Sequence, residues 1–270
     1  MSDTNPQKPA IRLIDSHAHL DMPRFDADRE EVINRAGYTG VTGIINVGID
    51  LASSQKAIAL AQSHPGVLAA VGIHPQEARD ITPKDIAGLS ELSRRSKVVA
   101  IGEIGLDFYR DYAPHQQQIQ VLEWQLALAS ESGLPAVIHC RQAEKETPGI
   151  LRDWTNKRPA SAAPPGVIHC FSGSLELAQT YLALGFYISL GAYIGYPSSR
   201  KFRDVIKRLP LDRLLIETDC PFLPPRSRRG QRNEPAYVVE TAKELAGIKG
   251  LTLQEIAEKT TQNTARLFRI

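Results

Sequence analysis

Six side chains in this 270-residue sequence have the chemistry to hold divalent cations: His17, His19, Glu103, His139, His169 and Asp219. Each sits at the downstream end of a short apolar run or just past it. Mixed imidazole and carboxylate donors suit Zn²⁺, Mn²⁺, Fe²⁺ or Co²⁺, and Mg²⁺ where substrate oxygens complete the shell. Six donors exceed what one tetrahedral ion needs. Two ions sharing a carboxylate, about 3.5–4 Å apart, use the set fully. Glu103 lies near the middle of the set and is the expected bridge.

A site of this kind needs elements that bring distant residues together. Eight β-rich apolar runs do so: 11–16, 42–48, 67–72, 97–103, 135–140, 166–171, 185–190 and 213–218. Their nearly continuous apolar character suits parallel strands buried on both faces. Segments long enough for crossover helices separate them. In 114–132, Ile119, Leu122, Leu126 and Ala129 recur at helical spacing, and Gly133 stands at the C-cap position. Ser174 is an N-cap candidate for a helix over 174–184. Thr252 and Glu255 form a capping-box pair ahead of a final helix.

Strand–helix alternation repeated eight times means an open doubly wound sheet or a closed barrel. No glycine-rich dinucleotide or phosphate loop follows an early strand, so an α/β fold of the (β/α)8 TIM-barrel type is expected, as one domain over 11–270 behind a flexible segment 1–10. In such a barrel all the C-terminal strand ends meet at one mouth, where active sites are built. The conjunction of six donors at those ends carries more weight than an isolated H-x-H pair. His17 and His19, two apart on a strand, turn the same way. Asp15 and Glu217 are expected beneath them as carboxylates that fix histidine tautomers.

The remaining composition narrows the field. A formal net charge of +2 argues neither for nor against a polyanionic partner. Three cysteines, Cys140, Cys170 and Cys220, without paired spacing do not make a disulfide framework. Each follows a donor residue, so alternation is expected to turn it toward the helices as packing. The polar stretch 1–9 lacks an apolar core and no run reaches about 20 apolar residues, so a cytoplasmic protein without membrane association or an obligate protein partner is expected.

The local motifs DSHAHLD (15–21), VGIHP (71–75), GEIGLDFYR (102–110), IHCR (138–141), HCFSG (169–173), ETDCPFL (217–223) and RGQRNEP (229–235) together resemble the TatD family of metal-dependent deoxyribonucleases, within the amidohydrolase superfamily. The resemblance runs from Ile11 to Phe268. It implies two divalent ions, Mg, Mn, Zn or Co, with His17, His19 and Asp219 holding one, His139 and His169 the other, and Glu103 bridging. It also implies 3′–5′ exonucleolytic hydrolysis of single-stranded DNA, and of RNA in some members. Cys140 and the stretch 142–149 depart from the family's usual pattern without removing a donor.

Phosphodiester cleavage by water activated at two ions needs no nucleophilic side chain, so no covalent intermediate is expected. Asp219 and Glu103 are the expected catalytic carboxylates, with Asp219 orienting the water or taking its proton. The loop after strand eight carries Arg226, Arg228, Arg229 and Arg232, of which Arg229 and Arg232 are the favoured phosphate contacts. His74, closing strand three, is a candidate phosphate contact or general acid, and Tyr109 and Arg110 offer stacking and charge. A small-molecule amidohydrolase such as a lactonase, or a hydrolase of aminoacyl-tRNA, is compatible with the same metal scaffold; the arginine-rich loop favours phosphate over a neutral ring.

Overall fold

Parallel strands covered on both faces must be apolar on both, and the strands of this chain are. The computed structural model describes residues 11–270 except Asp111 and 160–162. The expected flexible segment 1–10 lies outside the described residues. Among those described, eight strands hydrogen-bond in sequence order, every pair parallel. They are β1 (Leu13–Ala18), β2 (Val41–Val47), β3 (Val67–Val71), β4 (Val98–Asp107), β5 (Ala136–Arg141), β6 (Gly166–Ile168), β7 (Tyr187–Leu190) and β8 (Leu214–Ile216). The ring closes just beyond β8. The Asp219 N–H donates to the His17 carbonyl (2.9 Å) and the His19 N–H to the Cys220 carbonyl (2.8 Å).

Helices α1 (Arg29–Tyr38), α2 (Leu51–Ser63), α3 (Pro83–Ser93), α4 (His115–Ser132), α5 (Thr147–Asn156), α6 (Leu175–Ala183), α7 (Arg200–Arg208), α8 (Val238–Lys249) and α9 (Leu253–Phe268) follow the strands. The expected end signals operate. Gly133 closes α4 in the left-handed conformation, Ser174 accepts from the Leu177 N–H at 3.2 Å, and Thr252 and Glu255 form a reciprocal box at α9. One apolar cluster takes Ile45, Ala70, Ala100, Val137, Val167, Tyr187 and Leu215 from β2–β8, with Leu267 and Phe268 of α9 packed on it. A second, larger cluster joins the strands to the surrounding helices.

Two strands differ from expectation. β1 begins and ends two residues later than the apolar run 11–16, because closure onto residues 219–220 extends its hydrogen bonding through the histidines. β4 continues four residues past Glu103. Gly105 permits that: a Cβ there would lie 1.9 Å from the His139 carbonyl oxygen, so only glycine lets β4 run this close to β5.

Candidate metal centre

All six expected donors meet at the C-terminal mouth of the barrel. Glu103, nearly fully buried, lies between two groups of them. Its Oε1 is 2.7 Å from His139 Nδ1 and 2.8 Å from His169 Nε2. Its Oε2 is 3.4 Å from His17 Nε2 and 3.6 Å from His19 Nε2. Asp219 Oδ1 joins the second group, 3.5 Å from His19 Nε2 and 3.9 Å from His17 Nε2. Donors around one ion at about 2.0–2.2 Å stand roughly 3.0–3.6 Å apart, close to the spacings seen here. Both His17–His19–Asp219 and Glu103–His139–His169 have donor atoms within 4.8 Å of one another.

Tautomers are set from behind. His19 Nδ1 lies 2.8 Å from the Val47 carbonyl, an acceptor only, so this nitrogen carries a proton and Nε2 is the one that turns to a metal ion once its own proton is displaced. His169 Nδ1 lies 3.4 Å from Glu217 Oε1, and His139 Nε2 lies 3.4 Å from Asp107 Oδ2. Within the site, His17 Nε2 and His19 Nε2 stand 3.1 Å apart, and His139 Nδ1 and His169 Nε2 stand 3.3 Å apart. Buried imidazole nitrogens set this close are costly unless a cation draws them together. The donor set therefore fits divalent metal ions.

Electrostatics agree with a cation-binding cavity. Burial pushes the Glu103 carboxyl up, but the His169 and His74 rings and hydrogen bonds from His139 and His169 hold it well below its ordinary range. Burial likewise opposes ionisation of Asp219, which His19, His169 and His17 nonetheless keep lowered. His19 is pulled down by burial yet raised to about 9 by Asp219 and Glu103. Burial also opposes protonation of His139 and His169; Asp107 and Glu103 raise the first, and Glu103 and Glu217 raise the second well above normal. His17 is lowered by burial and by the His169 ring stacked 4.0 Å away.

The donors line a cavity of about 560 Å³. His74 is on its wall, 3.6 Å from Glu103 Oε1 and edge-on to His139. Its Nδ1 accepts from the Gln76 N–H at 3.1 Å. Burial holds its pKa at about 3. Arg110 also lines the wall, and Tyr109 lies on the rim beneath the Arg141 guanidinium, 3.8 Å from the ring centroid. Neither Arg229 nor Arg232 lines this cavity. Arg232 makes a bidentate pair with Asp28 (2.8 and 2.7 Å) and packs over Phe25. Its neighbour Glu234 is held by Arg35 at 2.8 Å, and buried Asn233 donates to the Thr218, Phe222 and Leu223 carbonyls. The 229–235 segment thus braces the loop after β8.

Three further departures have local causes. Asp15 serves the backbone, accepting from the Thr218 N–H (2.9 Å) and hydroxyl (2.5 Å), because a register break between Asp15 and Ala18 interrupts strict alternation. Only Cys220 is fully buried; Cys140 and Cys170 are half-buried and border the cavity, Cys170 with a positive φ that alternation does not foresee. The Cys140 thiol does face the helices, at Thr147 and Tyr181. Asp107 and Arg141 were not singled out by sequence. Each lies an even number of residues beyond a donor on its own strand, Glu103 and His139, and that parity is the signal that could have found them.

A closed parallel barrel with a histidine–carboxylate cluster at its C-terminal mouth defines a metal-dependent hydrolase. Residues 14–269 match the model of the TatD related DNase family. The chain belongs to that family. It is 44% identical to an uncharacterised metal-dependent hydrolase, YabD, of Bacillus subtilis, covering 96% of this chain and 99% of the relative. It is 35% identical to the 3′-5′ ssDNA/RNA exonuclease TatD of Erwinia tasmaniensis, covering 96% and 100%. The crystal structure of YJJV, a TatD homologue from Escherichia coli, superposes with a TM-score of 0.89 at 35% identity over 96% and 99% of the two chains.

Proposed function

We propose that this protein is a two-metal exonuclease that hydrolyses single-stranded DNA, and RNA, from the 3′ end. The observation that carries the proposal is the division of Glu103: one oxygen faces His139 and His169, the other faces His17 and His19. In this reading His17, His19 and Asp219 hold one ion, His139 and His169 hold the other, and Glu103 bridges. The relatives named as 3′-5′ ssDNA/RNA exonucleases support the substrate and polarity. Divalent ions supply Lewis acidity that lowers the pKa of water to about 7 and offsets phosphate charge.

The chain's own residues do the rest. Asp219, ionised and at the cavity wall, orients the attacking water and accepts its proton. His74 stays neutral at physiological pH, and Gln76 occupies its Nδ1 lone pair, so Nε2 carries the proton, 3.6 Å from Glu103 Oε1, and can donate it in a hydrogen bond to a phosphate oxygen. That favours a phosphate contact over a general acid. Arg110, with the rim pair Tyr109–Arg141, supplies charge and stacking for the nucleotide. A cytoplasmic setting accords with three unpaired cysteines. No helix among the described residues is long and apolar enough to cross a membrane.

The test is nucleotide release from a labelled single-stranded oligonucleotide with Mg²⁺, Mn²⁺, Co²⁺ or Zn²⁺. Stepwise shortening from the 3′ end, abolished by chelator and reduced on the order of 1000-fold in Asp219→Asn, is the expected result. No release with any of the four ions contradicts the nuclease reading and moves the substrate to carboxylic esters, with amino-acid release from aminoacyl-tRNA assayed next.

A further inference from the structure

Four apolar side chains, Met22, Ile49, Phe222 and Leu223, are in the wall of the metal cavity, and of these Phe222 and Leu223, on the β8 side, are the most exposed, at 42% and 38%. Large apolar side chains left open at a charged mouth mark a place where an apolar surface is covered by ligand. Phe222 follows Asp219 by three residues, and its N–H donates to the Asp219 carbonyl at 2.9 Å. Its ring stands edge-on to His19, 6.2 Å between centroids. A ring that served only to shield His19 would be covered itself, whereas Phe222 keeps much of its surface free.

The loop holds this position at a cost. Leu223 adopts φ +47°, a conformation disfavoured for a residue with a Cβ. Buried Asn233 fixes it by donating one amide group to the Thr218, Phe222 and Leu223 carbonyls. In a ring of eight strands β4 is opposite β8, and from β4 onward come Arg110 and the exposed ring of Tyr112. The mouth therefore presents an apolar shelf on one side and a cationic aromatic rim on the other, with the metal donors between.

We propose that Phe222, backed by Leu223, is the stacking platform for the unpaired terminal base of the nucleic acid, making it a determinant of specificity for single-stranded, base-bearing ends. This rests on the nuclease reading above. A nucleobase hangs one sugar away from its phosphate, so a ring beside the metal donors is where that base arrives when the phosphate is among them. Every base has a π face, so such a shelf accepts DNA and RNA of any sequence but rejects a base still paired within a duplex.

The experiment compares two single-stranded oligonucleotides, identical except that one carries an abasic tetrahydrofuran in place of its 3′-terminal nucleoside, with wild-type protein, Phe222→Ala and Phe222→Trp. The readout is the ratio of kcat/KM between the two substrates, from which any loss of folded enzyme cancels. We expect the wild type to favour the base-bearing end about tenfold, Phe222→Ala to bring the ratio near one, and Phe222→Trp to keep it. A wild type indifferent to the terminal base, or an alanine variant that retains the preference, overturns the proposal. Failure of the wild type to release nucleotides from either substrate overturns the nuclease reading, and this proposal with it.

Discussion

The two sides of Glu103 are built differently. On the Oε2 side the main chain does the positioning. Asp219 and His19 each donate a backbone N–H across the barrel closure, and the Val47 carbonyl fixes the His19 ring. On the Oε1 side the His169 N–H also donates to the Ile138 carbonyl, but among the described residues no backbone group hydrogen-bonds either imidazole ring. His139 and His169 face Glu103 closely, and their far nitrogens look to the carboxylates of Asp107 and Glu217 at 3.4 Å. A donor set hung on the backbone is as rigid as the barrel, whereas one supported by side chains can be weakened by a single substitution. The first group should therefore bind its ion with less dependence on supporting residues than the second.

The largest effect that breaks this asymmetry is loss of the shared residue. Glu103→Ala removes an oxygen from both groups, and activity is expected to fall on the order of 1000-fold with metal content below two ions per chain. Elemental analysis after gel filtration checks the second part; two ions per chain in that variant would mean the bridge is elsewhere. Next come the supports. Asp107→Asn should weaken one metal-binding step about 10–100-fold while leaving the other step at its wild-type affinity, whereas Glu217, within reach of both His169 and His17, should touch both steps in Glu217→Gln. Titration calorimetry separates the two steps, and equal losses in both for Asp107→Asn would remove the asymmetry.

The two sides of Glu103 also respond to acidity. Metal binding must displace the protons that Glu103, Asp219 and their neighbours hold on His19, His139 and His169. Apparent affinity is expected to rise with pH through neutrality and to flatten near 9 for the group containing His19, by up to about tenfold per unit for each proton displaced. The metal-free protein runs the other way. The stabilisation from protonated His19 is full below its unfolded value of about 6.5 and is lost as pH rises through about 9. Competition titrations between pH 6 and pH 9 with flat affinity would contradict the raised histidines.

The smallest effect concerns arginines. Arg232→Ala breaks a bidentate pair with Asp28 at the surface, so a stability loss of no more than about 1 kcal/mol is expected, with KM for an oligonucleotide unchanged. Arg110→Ala should raise that KM and flatten its salt dependence. The reverse outcome for the two variants would return phosphate binding to the loop after β8.

These residues also mark how far the sequence could be read. The six donors were legible because strand ends converge in a barrel and because the apolar runs located those ends. Asp107 was not, since two glycines in GEIGLD look like a strand terminus, whereas Gly105 makes room for the His139 backbone and Gly102 for Val137, both of β5. Arg232 pairs with Asp28, 204 residues away, a contact that no local pattern carries. Asp15 lost its expected role to a register break that periodicity does not encode.

The proposed function requires Glu103 to join two ions at the barrel mouth. Electron paramagnetic resonance of the Mn²⁺-loaded protein tests it most directly, because a shared carboxylate couples the two spins. A coupled pair is expected in the wild type at two equivalents of Mn²⁺, and only isolated ions in Glu103→Ala. Isolated Mn²⁺ signals in the fully loaded wild type would contradict it.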